Sequence, residues 1–263
     1  MFTLDCSTRD QALLSLSAGF GCTVPELSAV LLSLDLEHIL ETDPSIPVDA
    51  CQYLREYVCE KLGTPRPFTS AYWFHGTRTF AGNAFPEGLL ALNHSEALVM
   101  EMLITHAPNT EIRKRLQAWN YPGGVPDEMF ELRTGDSIHW GPYGYLVREV
   151  LFHASDLGQH DYVRMPELVE DVCNAWSKKY NQDLTEHYLR VLHPCIVWLR
   201  ANIEHESGTL EAALRYTYTS VRALEPDFDA VMGIDCNGES VPANSIVKVE
   251  FLPGTISSSV TWR

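Results

Sequence analysis

The apolar positions of the first sixty residues recur at helical spacing. Ala12, Leu13, Leu14 and Leu16 follow Ser7 and Thr8, either of which can cap a helix, and Gly19 and Gly21 then break it. A second helix is expected from Thr23-Val24-Pro25-Glu26, with Pro25 in its first turn and Leu27, Val30, Leu31, Leu34 and Leu36 near helical spacing. Pro44 and Pro47 punctuate the chain, and a third helix is expected from Val48 to Leu62, with Gly63 as its stop.

The pattern then changes. Thr64-Pro65-Arg66-Pro67 reads as a linker, because X-Pro pairs oppose helix. Ala71 to Phe74 is short, apolar and aromatic, as a strand would be. Helices are expected from Ser95 to Ile104 and over 109–119, followed by a loop at Pro122-Gly123-Gly124-Val125-Pro126. Gly144 to Ala154 fits either helix or strand. Pro166 to Tyr180 reads as a helix with Leu168, Val169, Val172 and Trp176 on one face, and Asp183 opens another that runs to about Ile203. Residues 209–224 read as helix, although Tyr216-Thr217-Tyr218-Thr219 is rich in strand formers. Two strands close the chain, Val231 to Ile234 and Ser245 to Leu252. In the second, Val247, Val249 and Phe251 alternate with Lys248 and Glu250, which implies one buried face. Asn237-Gly238 is a turn signal, so the two strands are expected to form a hairpin with a long loop. The fold class is α+β.

Composition narrows the function classes. A chain of 263 residues fits one large domain, or a domain with an appended subdomain. A formal net charge of −16 repels phosphate backbones and disfavours broad nucleic-acid binding. Arg113, Lys114 and Arg115 form the densest basic run, and on a helix they point in different directions, as a solvated face does. The cysteines are scattered, odd in number at seven, and include no CxxC pair, so reduced thiols are expected instead of a disulfide framework or a zinc site. The N-terminus lacks the basic and apolar regions of a secretory signal. No apolar run approaches the roughly 18 residues of a membrane span. A cytoplasmic location is the expectation.

The segment richest in chemistry is Tyr72-Trp73-Phe74-His75-Gly76-Thr77-Arg78, followed after a gap by Phe85-Pro86-Glu87-Gly88-Leu89-Leu90. A strand here delivers an imidazole, a glycine and a hydroxyl to its own end. The glycine permits close approach of a ligand, and the imidazole and hydroxyl suit sugar hydroxyls or an amide. No Gly-rich dinucleotide fingerprint, Walker-type phosphate loop, HExxH or GxSxG is present. His139, His153, His160, His187 and His193 show no metal-ligand pattern, and no metal is expected.

A strand ending in His-Gly-Thr followed by Arg, with Gly-Leu-Leu after a short gap, resembles the first motif of the ADP-ribosyltransferase superfamily, most closely its poly(ADP-ribose) polymerase-like branch. The resemblance covers about nineteen residues and is compatible with a final strand near the C-terminus. It implies an N-terminal helical region over 1–66 and a split β-sheet domain over 67–263 with a large helical insertion at about 95–225. It implies that NAD is the substrate, with His75 binding a ribose hydroxyl and the Gly76 backbone gripping the nicotinamide carboxamide. Thr77 would support the turn or contact the adenine-side ribose, and Arg78 would contact the pyrophosphate or brace the loop. The stacking aromatic of the family falls on Tyr143 or Tyr145, within Trp140-Gly141-Pro142-Tyr143-Gly144-Tyr145. The family's glutamate at the start of a late strand has no counterpart, since Asn244 stands there. Glu239, in the preceding loop, and Glu250, late in the strand, are the candidate acids. The implied activity is transfer of ADP-ribose from NAD to an unidentified acceptor with nicotinamide release. The alternative is a catalytically inactive module of the same fold that binds a nucleotide or a protein partner.

Overall fold

The computed structural model describes residues 2–42, 49–136, 138, 140–203 and 205–253. The chain is α+β, with ten α-helices, three short 3-10 helices and six strands among the described residues. It divides into two compact units that interleave in sequence. The first comprises Met1–Phe74, Gly144–Gln159 and Leu199–Ile234, and the second His75–Tyr143, His160–Trp198 and Asp235–Arg263. The division thus departs from the expected boundary near residue 66, because the N-terminal helices share a core with a helix from beyond residue 200.

In the first unit, β1 (Phe2–Leu4) lies parallel to the start of β2 (Phe68–Thr79), with Phe2 opposite Phe68 and Leu4 opposite Ala71. Four helices follow β1. These are α1 (Arg9–Phe20), α2 (Val24–Ser33), α3 (Leu36–Thr42) and α4 (Ala50–Leu62). Their ends follow capping chemistry. Thr8 accepts from the Gln11 N–H, Thr23 and Glu26 form a reciprocal capping box, and Asp49 accepts from the Gln52 N–H. The expected break at Gly19 is not there: α1 runs through it and stops at Gly21. Leu34 and Leu36 leave the second helix, because the chain turns extended at Leu34 before α3 begins. The expected helix start at Val48 lies outside the described residues. Helix α10 (Glu206–Ser220) packs on α4 and α1, and Ala213 and Leu214 of α10 are buried, as are Leu16 of α1 and Leu54 and Val58 of α4. Burying an aliphatic side chain of this size contributes about 1.5–3 kcal/mol each.

The second unit collects α5 (Leu92–Thr105), α6 (Thr110–Gln117), α7 (Glu128–Gly135), α8 (Glu167–Tyr180) and α9 (Thr185–Val191). Their core includes Leu103, Leu116, Phe130, Val172 and Tyr188, with Trp119 meeting the edge of Trp176 at a ring separation of 5.6 Å. The basic run sits on α6 as expected of a solvated face. All three residues are exposed, Arg113 donating to the Ile104 and Thr105 carbonyls and Arg115 to Glu111.

The strands are ordered β5-β3-β2-β4-β6, with β1 also on β2. Here β3 is Tyr143–Tyr145, β4 His193–Asn202, β5 Gly233–Asp235 and β6 Ile246–Phe251. Three expectations are corrected. His193–Asn202 is a strand and not the continuation of the helix begun at Asp183; its apolar run from Cys195 to Leu199 suits either element, and Pro194 at its start opposes helix. β5 and β6 do not pair as a hairpin, since they stand at opposite edges of the order. The stretch 95–225 is not wholly helical, because it contributes β3 and β4. The final strand does lie in the same sheet as β2, with β4 between them. Among the described residues no single helix is long and apolar enough to cross a membrane.

Candidate functional site

β2 runs on past Phe74 through Thr79, so His75 and Gly76 lie within the strand and not at its end. Alternation along a strand puts Trp73, His75 and Thr77 on one face and Phe74, Gly76 and Arg78 on the other. Phe74, Gly76 and Arg78 are buried, whereas His75 and Thr77 are half-buried. On the first face Trp73 is buried, and only His75 and Thr77 keep part of their surface exposed.

The His75 ring is fixed by one contact. Its Nδ1 lies 2.7 Å from the Tyr143 carbonyl oxygen. A carbonyl only accepts, so Nδ1 carries the proton and, in the neutral ring, Nε2 is left as an acceptor. Burial pulls the imidazole below the usual histidine pKa, and the Tyr143 carbonyl opposes that shift without cancelling it. His75 is thus a neutral, oriented imidazole, suited to accept from a hydroxyl.

Arg78 has different surroundings. It is 8% exposed, and its guanidinium donates to the carbonyls of Leu192 at 3.1 Å, Val163 at 3.1 Å, Arg164 at 3.3 Å and Leu189 at 2.6 Å. These bonds engage all three guanidinium nitrogens and brace the chain around 163–164 and 189–192. A pyrophosphate contact would require breaking that brace.

Tyr143 has a half-buried side chain whose hydroxyl donates to the Ile138 carbonyl at 2.9 Å. Burial, with Asp235 and Glu167 nearby, raises its pKa. Tyr145 belongs to the first unit, where it is the strand partner of Phe74 and donates its hydroxyl to the Gln159 carboxamide at 3.1 Å. Glu239 is exposed in the loop after the Asn237-Gly238 turn. Glu250 accepts from the Trp198 indole N–H at 2.9 Å, and the Lys248 ammonium lies 3.5 Å from the centre of the same ring. The expected apolar face of β6 is largely open, with Val247 50% and Phe251 37% exposed, because the inward contacts at Trp198 are made by Lys248 and Glu250. His160 and His187 contact the carbonyls of Met165 and His106. His139 lies outside the described residues.

Three segments close on one another in the second unit, and periodicity alone did not foretell it. Leu89 and Val241 exchange two backbone hydrogen bonds, at 2.9 and 2.8 Å. The Leu92 N–H donates to the Trp140 carbonyl at 2.9 Å. Gly238 N–H donates to Gly141 at 2.8 Å, and Cys236 N–H to Pro142 at 3.1 Å. The second half of the histidine motif, the tyrosine loop and the Glu239 loop are thereby tied pairwise. The only sequence signals were the glycines at 88 and 238.

In the first unit, Glu149, His153 and Glu225 bring ligand-type atoms within 4.8 Å of one another. Arg9 supplies the positive charge there, 2.6 Å from Glu149 and 3.6 Å from Glu225, and Tyr216 donates to Glu149 at 2.7 Å. Arg9 thus pairs with both carboxylates, and His153 Nε2 lies 3.1 Å from Glu225. Ser7, Arg9, Arg148, Glu149 and Tyr216 line a neighbouring concavity of about 390 Å³.

No family model, no curated protein and no solved structure matches this chain.

Proposed function

We propose that the chain binds NAD at the face of β2 carrying His75 and Thr77 and transfers its ADP-ribose to an acceptor. The observation that carries this reading is the 2.7 Å contact between His75 Nδ1 and the Tyr143 carbonyl. It leaves a neutral imidazole with its acceptor nitrogen free for a ribose hydroxyl. In the reaction, the bond between ribose C1′ and the nicotinamide nitrogen breaks, and its electron pair leaves on nicotinamide. The acceptor forms the new bond to C1′ and gives up a proton to a carboxylate. Orientation of the ribose at the breaking bond supplies most of the advantage, since the chemistry needs little more than geometry and charge. The ADP-ribosyltransferase-like split sheet belongs to this proposal as well.

Calorimetric titration with NAD tests the binding, and nicotinamide release tests the transfer. Binding weakened modestly in His75→Ala, with a larger fall in nicotinamide release, supports the reading; no binding to the parent at millimolar NAD ends it.

A second reading is a nucleotide-binding module without turnover. Two observations favour it. Arg78 is wholly engaged by backbone carbonyls, and Asn244 occupies the position where the family's acid would start the last strand. NAD binding without nicotinamide release, across a wide screen of acceptors, selects this reading.

A further inference from the structure

β6 stands at one edge of the strand order, and β4 is its one strand neighbour among the described residues. The Leu252 N–H donates to the Pro194 carbonyl at the start of β4. Backbone N–H groups alternate sides along a strand. Lys248 and Glu250 therefore turn theirs toward β4, and Val247, Val249 and Phe251 turn theirs outward.

The side chains alternate as well. Lys248 and Glu250 share one face, and Trp198 holds both: its ring centre lies 3.5 Å from the Lys248 ammonium, and its indole N–H donates to Glu250 at 2.9 Å. Val247, Val249 and Phe251 form the other face, where Val247 and Phe251 are exposed. An edge strand with open apolar side chains and outward N–H groups is a template for a further strand.

The segment Ile246-Val247-Lys248-Val249-Glu250-Phe251-Leu252 reads as its own complement. Set antiparallel against a second copy, about a twofold axis through Val249, it brings Lys248 of each copy opposite Glu250 of the other. Val247 meets Phe251, Ile246 meets Leu252, and Val249 meets its own counterpart. Opposite-charge and apolar cross-strand pairs both stabilise antiparallel strands. A continuous sheet keeps each face to itself, so the axis falls on a residue and not between two. Moving it to Lys248 or to Glu250 sets like charges directly opposite, which is destabilising. A lone lysine on an edge strand guards against pairing. Here the glutamate two residues on turns that guard into a choice of register.

We propose that β6 is a self-association surface whose occupant is β6 of a second copy, paired antiparallel in the register centred on Val249, so that the sheet continues across a twofold axis. The same patch serves on both copies, as a twofold interface requires. One added strand on each side buries less than the roughly 1,200 Å² of a standard interface, so the dimer is weak and concentration-dependent.

Sedimentation equilibrium of the full chain, from low micromolar to millimolar concentration, tests this. The parent should pass from monomer to dimer across that range. Lys248→Glu and Glu250→Lys each set two like-charge pairs in the register and should raise the dimer Kd by at least about tenfold. An equimolar mixture of the two variants regains both attractive pairs and should dimerise as the parent does. The mixture separates charge repulsion from lost contacts with Trp198, since a damaged β6 would not be rescued. Val249→Pro removes the outward N–H at the axis and none of the bonds to β4, so it should stay monomeric with a near-parent midpoint in urea unfolding. A parent that stays monomeric at millimolar concentration overturns the proposal, and slow exchange of the Val247, Val249 and Phe251 amides in that monomer would give the edge to residues 254–263 of the same chain. Single charge variants that dimerise like the parent, or a mixture that does not, overturn the register and the proposal with it.

Discussion

His75 holds its Nδ1 proton against the carbonyl of Tyr143, at 2.7 Å. The contact decides the tautomer and leaves Nε2 to a ligand. His75→Ala is expected to weaken NAD binding modestly, since one neutral hydrogen bond is worth about 0.5–1.5 kcal/mol. Turnover should fall further, by about 100-fold, if the ribose is misplaced at the reacting bond. Calorimetry and nicotinamide release on the same preparation separate the two effects.

Burial of the His75 ring gives a pH dependence. Burial holds the native His75 pKa below its ordinary value, so the unfolded chain takes up a proton first as the solution is acidified. The stability contributed by the neutral ring is full above the ordinary histidine range and is lost as pH falls through it. NAD binding should persist to lower pH than a solvent-exposed histidine would allow. A Kd that weakens at or above pH 7 would count against this.

Arg78 is predicted to act through the fold. Removing it leaves four carbonyls without their donor, and each buried polar group so orphaned costs about 1–3 kcal/mol. Arg78→Ala should destabilise by at least about 3 kcal/mol in urea unfolding. Arg78→Lys should recover little, because an ammonium cannot reproduce the planar fork.

How far the sequence was readable follows from how local each determinant is. Thr23 and Glu26 lie three residues apart, and their capping box was legible. So were the stop of α4 at Gly63 and the strand character of β6. β4 was not, because Cys195-Ile196-Val197-Trp198-Leu199 has no period that separates a buried strand from a buried helix. α7 was missed among polar residues, where its signal is the Asp127 cap. Around His75 and Gly76 the strand was legible, but its run on to Thr79 was not. The pairing of Leu89 with Val241 joins residues far apart in the chain, and nothing local encodes it. The role of Gly88 was readable only as a change of direction, since the carbonyl it must avoid comes from the far end of the chain.

Asp171 offers a prediction about stability alone. Its side chain is 4% exposed, Oδ1 meets Arg133 at 2.6 Å, and Oδ2 has no hydrogen-bond partner. Burial raises its pKa from 3.8 to about 6, against the opposing pull of Arg133 and with a small push from Asp127 and Glu167. Because the native pKa lies above the unfolded one, the fold gains stability as pH falls through about 6 toward 4. The gain is on the order of 3 kcal/mol. Asp171→Asn should remove this pH dependence and be the more stable form at pH 7.5, since Arg133 keeps Glu167 at 3.3 Å. Urea unfolding across that pH range decides it; a variant less stable at every pH would show that the Arg133 ion pair outweighs the burial cost.

The two candidate acids are separable by paired substitutions. Glu250 is already bound, its Oε2 accepting from Trp198 at 2.9 Å beneath the neighbouring Lys248. Glu250→Gln keeps a carbonyl oxygen for that indole, so stability should change by no more than about 1 kcal/mol and turnover should stay near the parent value. Glu239 is exposed on the span fastened between Gly238 and Val241, with no side-chain partner that would hold it away from an acceptor. Glu239→Gln removes the candidate proton acceptor and leaves the loop intact. General-base contributions of this kind run to about 100–10,000-fold, so release of nicotinamide should fall by at least about 100-fold while NAD binding is retained. The reverse outcome, with Glu250→Gln silent in binding and inactive in turnover, would move the role to β6 and leave the Trp198 contact as the device that orients the acid. Retention of full turnover by both variants would mean that neither carboxylate takes the proton, and the reading without turnover would then gain only if the parent also releases no nicotinamide.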